Sequence, residues 1–277
     1  RWLSGRLPWD DADPQIRQQC ARVAGDMQLV RSESYLLPLL KDDAPLVRSH
    51  AAIALGKVGS TSSTAALLSL LEDNADRDPF IRHAAVYGLT RCGSEKQLLA
   101  TLDAASSSVR LGAVLALRRQ KSPQIISFLQ DKETRVLREA VRGIHDDFSI
   151  PTALPAVAAL LDSRKLPEDE PTLRRVLSAN LRVGDRAAAY RLVNFIRAGD
   201  QHGSLSRAMK LEALECLAAW TQSPLIDRVE GRVRTTERAE PDAARLAMRA
   251  SLGRILASAD NSVSSAAIMT ATRLGIE

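Results

Sequence analysis

Aromatic residues and cysteines are scarce in this sequence of 277 residues. Aromatics make up 4% of the chain, whereas 45% of its residues are hydrophobic and alanine and leucine dominate them. That bias favours close-packed helices over a β-sheet or a carbohydrate-binding platform. The three cysteines, Cys20, Cys92 and Cys216, lie far apart and match no zinc, redox or haem-attachment spacing. The composition therefore predicts an all-α protein with cysteines as small core residues, and it leaves the redox compartment open.

Long hydrophobic runs are also missing from the sequence. No stretch of about 18 apolar residues could span a bilayer. No charged-then-apolar leader opens the chain, which starts at Arg1 without a methionine. We interpret the sequence as an excerpt of a longer protein, with room upstream for a signal peptide or an anchor. Trp2 and Trp9, close to that end, are predicted to contact the missing neighbouring domain.

Catalytic motifs are absent as well. No nucleophile elbow, phosphate-binding loop or dinucleotide-binding turn occurs in the sequence. The histidines fall at different phases of the repeat described below and form no metal-binding pair: His50, His83, His145 and His202. His145-Asp146-Asp147 has ligand-type side chains, but consecutive loop residues rarely converge on one ion, so a solvated turn is favoured. The sequence predicts no catalytic residue, cofactor or metal ligand, and this segment is predicted not to be an enzyme.

One phrase recurs along the chain, an aliphatic residue that is followed in most copies by arginine. Its eight copies begin at Ile16, Val47, Ile81, Val109, Val136, Leu173, Met209 and Val263. A small or apolar residue follows four positions later in every copy, which predicts one buried stripe on a helix. Successive copies are 31, 34, 28, 27, 37, 36 and 54 residues apart, and periods of this size indicate a solenoid.

A second apolar segment precedes most copies, including Leu98–Leu102 and Ile125–Leu129, so each repeat is predicted to be a pair of helices. Neither helix can bury its apolar stripe alone, and the pairs must therefore stack. Helix starts that combine an aspartate with a proline are predicted at Asp13-Pro14, Asp43 to Pro45, and Asp78-Pro79. Left-handed helix ends are predicted at Gly59, Gly93 and Gly184.

These features predict a single domain over residues 1–277, an all-α, right-handed α-solenoid (superhelix) of about eight helix pairs with a truncated first unit. Leu137 and Ser264 replace the basic residue in two copies. A polar insertion at residues 221–242 is predicted to be a long loop, and it is the expected place for a partner contact unless it is only a solvated connector. A second irregular stretch, residues 162–171, is predicted to lengthen a turn.

The arginines of the recurring phrase sit at the border of the buried stripe. They predict an inter-repeat ladder in which each guanidinium holds carboxylates or helix-end carbonyls of the adjacent repeat: Arg17, Arg48, Arg82, Arg110 and Arg174. Ligand binding is the alternative interpretation. Residues that recur in every repeat are more typical of a role in stacking.

The net charge of +5 is concentrated in the middle of the chain. Residues 110–200 hold 16 basic and 11 acidic residues, whereas residues 1–109 have a net charge of −1 and residues 201–277 one of +1. Second helices supply a predicted concave basic surface: Arg118, Arg119, Arg138, Arg142, Arg175 and Arg182. Nucleic-acid binding is one alternative, but the charge is modest and few aromatics are present to stack on bases. A solvated face or an acidic protein partner is favoured.

The stretch from Leu36 to Gly59 reads L-x-x-L-L-x-D…P-x-V-R-x-x-A-A-x-A-L-G-x-V-G and resembles a HEAT repeat of the short kind also seen in phycobilin lyases. Residues 78–86, 109–119, 169–177 and 223–229 resemble the HEAT segment of large bacterial membrane-bound dehydrogenase-like, c-type haem-binding proteins of the PVC type. In that family a β-propeller precedes the HEAT segment and a c-type haem domain follows it.

The resemblance implies an exported, periplasmic protein in which this segment is a non-catalytic scaffold between a propeller-type dehydrogenase-like domain and a cytochrome domain. Protein partners are then expected, either the flanking domains or an acidic protein, without membrane insertion by this segment. The haem-attaching C-x-x-C-H is absent from the sequence, so the family's redox chemistry is not expected here. A lyase-like HEAT protein is the remaining alternative.

Overall fold

The computed structural model describes residues 4–163, 169–198, 204–221, 226–233, 240–258 and 260–277. These residues form fourteen α-helices: α1 (Pro14–Asp26), α2 (Glu33–Leu39), α3 (Pro45–Val58), α4 (Thr64–Asn74), α5 (Pro79–Cys92), α6 (Glu95–Leu99), α7 (Ser107–Arg119), α8 (Thr134–Asp146), α9 (Leu154–Ala158), α10 (Glu170–Val183), α11 (Arg186–Arg197), α12 (Ser204–Ala218), α13 (Ala243–Ser258) and α14 (Asn261–Arg273). Within the described ranges the one extended pairing is an isolated antiparallel bridge between Ile226 and Val233. The predicted all-α class is confirmed.

Short 3₁₀ helices complete the repeats. They lie at Ser4–Arg6, Val30–Ser32, Thr61–Ser63, Pro123–Gln130, Pro151–Ala153 and Ala159–Asp162. The apolar segment at Ile125–Leu129, predicted as a helix before the fifth copy, is 3₁₀ throughout. The predicted helix at Leu98–Leu102 is wrong beyond Leu99, where α6 ends.

The chain divides into two compact units, residues 1–140 and 141–277, and the boundary falls within α8. In the first unit α1, α3, α5 and α7 pack against one another in chain order, and α2, α4 and α6 each pack on the helix that follows. In the second unit α10, α12 and α14 form such a row, and α9, α11 and α13 pack on them. With α8 included, eight helices carry the eight copies. The predicted stacking of helix pairs is confirmed within each unit. We call these eight the second helices.

The recurring stripe forms the core of both units. The residue four positions after the start of each copy is buried in all eight: Cys20, Ala51, Ala85, Ala113, Ala140, Leu177, Ala213 and Ala267. The aliphatic that opens each copy is also buried, except Ile16, which is 39% exposed. Removal of these side chains from water between neighbouring helices is the main force that stacks the repeats.

Two glycines let α3 and α5 approach closely. A Cβ on Gly56 would lie 3.0 Å from the Cα of Gly88, and a Cβ on Gly88 would lie 2.9 Å from the carbonyl oxygen of Ala52. Real Cβ atoms are not found so close to backbone, because the packing would be overfilled. The two glycines therefore set the distance between these second helices.

Helix ends follow the sequence at most predicted places. Asp13 and Asp78 are N-caps whose side chains accept backbone N–H groups, as predicted. The third predicted cap is wrong, because Ala44 is the N-cap of α3. Asp43 does not cap that helix; the Ala44 N–H is instead bound by Asp42 Oδ1 at 2.9 Å.

Of the three predicted left-handed helix ends, two are confirmed. Gly59 has φ 62° and Gly184 has φ 67°. Gly93 is extended, with φ −74° and ψ 126°, because Ser94 directly after it caps α6 and the chain has no room to reverse between the helices. The φ value at this position is therefore one that any residue can adopt.

Cysteine and tryptophan are among the sparse residue types of this chain. All three cysteines are buried and free, as predicted. Trp9 stacks on Tyr35 with ring centroids 5.4 Å apart, so one of its faces is used within the first unit, and Trp2 lies outside the described residues. No helix in the described ranges is both long and apolar enough to cross a bilayer.

Candidate functional site

Two arginines of the predicted ladder each bind a carboxylate of the following repeat through one edge of the guanidinium. Arg17 Nε and Nη2 donate to the two oxygens of Asp42 at 2.7 and 2.8 Å. Arg110 Nε and Nη2 donate to those of Asp131 at 2.8 and 3.1 Å. In both cases Nη1 donates to two backbone carbonyls of the turn before the arginine's own helix. We call this arrangement the arginine fork.

The forks are largely withdrawn from water. The side chains of Arg110 and Asp131 are only 2% and 4% exposed. The hydrogen bond from Arg17 lowers the pKa of Asp42, and it outweighs the opposing effect of burial. Charge-assisted bidentate pairs of this kind are among the stronger hydrogen bonds in proteins, and they join one repeat to the next.

Arg48 has the same geometry as the forks but holds no carboxylate. Its Nη1 donates to the backbone carbonyls of Asp42 and Asp43 at 2.6 and 3.0 Å. Within the part of the chain that the structure describes, no carboxylate forms an ion pair with Arg48. The contact with the adjacent repeat that the sequence predicted is missing at this position.

Sequence spacing explains which carboxylate each arginine can take. The carboxylates of both forks lie six residues before the arginine position of the next repeat. At that spacing the repeat after Arg48 offers Asp76, whereas the repeat after Arg82 offers Ala104, which has no carboxylate. Two arginines therefore compete for one aspartate.

Asp76 is held by other groups. Its Oδ1 accepts from Arg82 Nη1 at 3.0 Å, and its Oδ2 accepts from Arg135 Nη1 at 2.9 Å and from Ser108 Oγ at 3.0 Å. This repeat is 34 residues long against 31 for the one before, and Ala75 and Asp76 take positive φ values of 45° and 58°. The longer turn carries the carboxylate away from the preceding repeat, so Arg82 binds within its own repeat instead of the adjacent one.

The fifth ladder residue, Arg174, belongs to a cluster in the second unit. It donates to Glu170 at 2.8 Å and, from α10 to α12, to Glu212 at 2.6 Å. Arg228, from the predicted insertion, donates to both oxygens of Glu212 at 3.0 and 3.1 Å. Burial raises the pKa of Glu212, but the hydrogen bonds and charges of Arg228 and Arg174 outweigh it and lower that pKa. One buried carboxylate thus ties two second helices to the insertion.

The described part of the insertion, residues 226–233, folds into a tight hairpin. Ile226 and Val233 pair at its base, and the carboxylate of Asp227 accepts the N–H groups of Val229 and Glu230 at 2.8 Å each. We call residues 226–233 the inserted hairpin. The rest of the predicted loop at 222–225 and 234–239, and the centre of the irregular stretch at 164–168, lie outside the described residues.

The inserted hairpin brings Glu230 to a buried polar centre at the C-terminal end of α8. His145 Nδ1 lies 2.9 Å from Asp146 Oδ1 and 3.7 Å from Glu230 Oε1. His145 Nε2 lies 3.0 Å from Ser178 Oγ, and Arg175 Nε and Nη2 donate to the two oxygens of Asp146 at 2.9 Å each. The predicted solvated turn is wrong for His145, which lies in the last turn of α8 and is fully buried.

Three ligand-type groups of this centre, from His145, Asp146 and Glu230, lie within 4.8 Å of one another. The His145 nitrogen that faces the carboxylates is a hydrogen-bond donor, since a carboxylate can only accept. Burial raises the pKa of Asp146, but the hydrogen bonds from His145 and Arg175 outweigh it and hold that pKa well below its ordinary value. Because a metal would have to displace these bonds, the geometry favours an ion-pair network over a metal centre.

The six arginines of the predicted basic surface are divided between the units, with Arg118, Arg119 and Arg138 in the first and Arg142, Arg175 and Arg182 in the second. Arg118 pairs with a glutamate of α8 at 3.2 Å, and Arg142 pairs with an aspartate of the same helix at 3.7 Å. Arg182 donates to a carbonyl of α8 at 2.6 Å and lies 4.1 Å above the ring of Phe148. Ion pairs offset the charges of Arg118, Arg142 and Arg175, which weakens the nucleic-acid interpretation.

The repeat pattern predicted the arginines but not their acceptors. The signal was present, because an aspartate stands six residues before the arginine position in four repeats: Asp11, Asp42, Asp76 and Asp131. Glu230 had no such signal, since the insertion has no period and lies far along the chain from His145.

Comparison with known proteins gives one family match and several similar structures. Residues 9–90 match the family model described as HEAT repeats, so the predicted HEAT character is confirmed for that part of the chain. No curated protein matches the chain.

Three of the similar solved structures illustrate the range. The complex of CpcE and CpcF of phycocyanin lyase from Nostoc sp. PCC7120 shares 21% identity over 80% of this chain and 88% of that chain, with a TM-score of 0.39. Human deoxyhypusine hydroxylase in complex with glycerol shares 15% over 98% and 94%, with a TM-score of 0.34. A designed armadillo repeat protein shares 16% over 98% and 99%, with a TM-score of 0.24.

Proposed function

We propose that this chain is a non-catalytic scaffold that binds other proteins along its stacked helix pairs. The observation that carries the proposal is that the strongest ionic groups at the repeat junctions are used on one another. The arginine forks of Arg17 and Arg110 and the cluster around Glu212 each join neighbouring second helices. In this proposal the arginine ladder keeps the repeats in register and no residue is assigned to a reaction.

The ionisation of the carboxylates supports a structural role. A general acid at neutral pH needs a raised pKa. Among the described residues, each carboxylate with a clearly shifted pKa has it lowered: Asp26, Glu33, Asp42, Asp146, Glu212 and Asp260. Groups of this kind stay charged at neutral pH and serve as hydrogen-bond acceptors or ion-pair partners within the fold.

The finer proposal is a connecting role. The chain would hold a propeller-type dehydrogenase-like domain and a c-type haem domain at a fixed separation in an exported, periplasmic protein. Its support is the resemblance of residues 78–86, 109–119, 169–177 and 223–229 to the HEAT segment of such proteins, together with the HEAT match over residues 9–90. A stack of helix pairs suits this role because each repeat contacts only its neighbours and the array behaves as a spacer.

The experiment that tests the connecting role uses the full-length protein. Its gene should encode a propeller before this segment and a C-x-x-C-H domain after it. Replacing the segment by a flexible Gly/Ser linker should slow haem reduction by the dehydrogenase-like domain, because the two domains lose their fixed separation.

The control is the activity of each domain by itself. Substrate oxidation with a soluble electron acceptor and haem reduction by dithionite should not change on linker replacement. A gene that encodes this chain without flanking domains, or an unchanged rate of haem reduction, would contradict the connecting role.

A further inference from the structure

A cavity opens in the first unit where the arginine ladder is interrupted. Its volume is about 660 Å³, and its lining includes Leu40, Arg48, Leu70, Arg77 and Ile81. These residues come from the first turns of α3 and α5, the last turns of α4 and the turns that precede α3 and α5. We call it the Arg48 pocket.

Arg48 is held in the orientation that binds a carboxylate elsewhere in the same unit. Its Nη1 is fixed by two carbonyls at 2.6 and 3.0 Å, as Nη1 is in the forks of Arg17 and Arg110. In those forks the Nε and Nη2 edge receives a carboxylate at 2.7–3.1 Å. A guanidinium fixed in this way loses little conformational entropy when a carboxylate binds.

The charges around the pocket favour an anion. Lys41 and Arg77 line it beside Arg48, and Arg77 donates to backbone carbonyls at 3.1 and 2.6 Å without an ion pair to any described carboxylate. Of the two acidic lining residues, Asp78 accepts the first N–H groups of α5 at 2.8 and 3.3 Å. Three cations and two carboxylates leave the lining with one net positive charge.

Apolar side chains stand exposed next to the pocket. Leu46 is 62% exposed and Phe80 is 77% exposed, and they follow or precede the lining residues Pro45 and Ile81 in the sequence. Both occupy the same position of the repeat, one residue before the buried aliphatic. The Arg48 guanidinium can bind a carboxylate of a peptide, and the exposed Leu46 and Phe80 can contact apolar residues on either side of that carboxylate.

We propose that the Arg48 pocket binds an aspartate or glutamate side chain in a peptide segment of a partner protein. Its carboxylate takes the place that Asp42 and Asp131 take in the arginine forks, and its apolar neighbours rest on Leu46 and Phe80. This inference depends on the proposed scaffold function and adds the chemistry of one contact.

The test uses two immobilised pools of peptides about ten residues long, a typical length for a docking motif. Both pools have mixed apolar residues around one fixed position, which is aspartate in the first pool and asparagine in the second. The folded chain should be retained more strongly by the aspartate pool. Arg48→Met should lower that retention about tenfold or more, as expected when a charged hydrogen-bond pair is lost.

Three further variants separate binding from folding. Arg48→Lys keeps the positive charge but loses the bidentate Nε and Nη2 donors. Its retention should therefore fall between those of the wild type and Arg48→Met. Phe80→Ala removes a side chain that is already in water, so it should fold normally and bind less. Arg31→Gln removes one exposed charge from the same unit and should bind like the wild type.

Equal retention by the two pools would overturn the inference, as would a preference for aspartate that survives in Arg48→Met. Either result leaves the connecting role intact, because that role is read from haem reduction in the full-length protein. Conversely, a normal aspartate preference with unchanged haem reduction would support the pocket and contradict the connecting role.

Discussion

Changing Asp131 to asparagine tests whether the buried fork at Arg110 stabilises the stack. Asparagine has nearly the same shape, and its side-chain oxygen can still accept the Glu133 N–H that Asp131 binds at 2.8 Å. What disappears is the negative charge that faces Arg110. With side chains 2% and 4% exposed, water cannot replace it.

The free energy of unfolding should fall because Arg110 becomes a buried cation without a carboxylate. Removing one partner of a buried ion pair destabilises a protein by about 3–5 kcal/mol. Arg110→Met, which strands the aspartate instead, should cost a similar amount. The double variant should lose less than the sum of the two by about 2–3 kcal/mol, because no unpaired charge remains.

Arg48→Met is the matched comparison for Arg110→Met. Both variants lose an Nη1 that donates to two carbonyls, but only Arg110→Met strands a carboxylate. Arg48→Met should therefore be the less destabilised of the two.

The assay is urea unfolding followed by circular dichroism at a helical wavelength, with hydrogen exchange in α7 to locate the loss. A cost below about 1 kcal/mol for Asp131→Asn, the level of an exposed ion pair, would refute the reasoning. Additive single and double variants would refute it as well, since they would show that the two charges do not depend on each other.

Three other outcomes are expected. The hydrogen bonds from the Ser262 hydroxyl and the Val263 N–H lower the pKa of Asp260 to about 2. Its stabilising effect is therefore complete above its unfolded pKa near 3.8 and disappears as the pH falls through about 2. Thermal unfolding should show the stability deficit of Asp260→Asn shrinking over that range. Glu212→Gln should speed amide exchange in the inserted hairpin, whereas Glu215→Gln, on a side chain 46% exposed and 3.7 Å from Arg228, should not. Gly88→Ala should lose about 1–3 kcal/mol by overpacking in urea unfolding, whereas Gly253→Ala, with open space around its Cβ position, should be neutral or gain up to about 1 kcal/mol.

Each of these has an outcome that contradicts it. A deficit of Asp260→Asn that is the same at pH 2 and pH 7 would mean that its carboxylate does not anchor α14 by charge. Equal exchange rates in the two glutamate variants would mean that the Glu212 cluster does not hold the inserted hairpin. A stable Gly88→Ala variant would mean that α3 and α5 can move apart without cost.

The sequence predicted what the repeat period controls. The buried stripe from Cys20 to Ala267, the caps at Asp13 and Asp78, and the left-handed ends at Gly59 and Gly184 all depend on residues close to one another in a repeat. Gly93 was mispredicted because the conformation of a helix end also depends on what starts next, and there Ser94 starts α6 at once. The single domain over residues 1–277 stays a prediction.

Features that depend on long-range packing were beyond the sequence. The pairing of Arg82 with Asp76, instead of with a residue of the next repeat, required the turn geometry around two positive φ values. The burial of His145 required the inserted hairpin, whose docking on Glu212 through Arg228 has no periodic signal. α13 was not predicted either, because it follows the insertion and precedes a copy that lacks the arginine.

Specific recognition in a repeat array has to come from the places where the repeat is broken. Side chains that recur in every repeat serve stacking, and their charges are matched by the neighbours that recur with them. The pairing of arginine with carboxylate is broken at the 34-residue repeat, where Arg48 has no ion-pair partner beside the Arg48 pocket. The period is broken at the 54-residue gap, where the inserted hairpin docks on Glu212. In the first case the guanidinium of Arg48 has no ion-pair partner, and in the second the buried carboxylate of Glu212 is paired with Arg228 of the same chain. The first is therefore the place where a partner can gain an ion pair without breaking one.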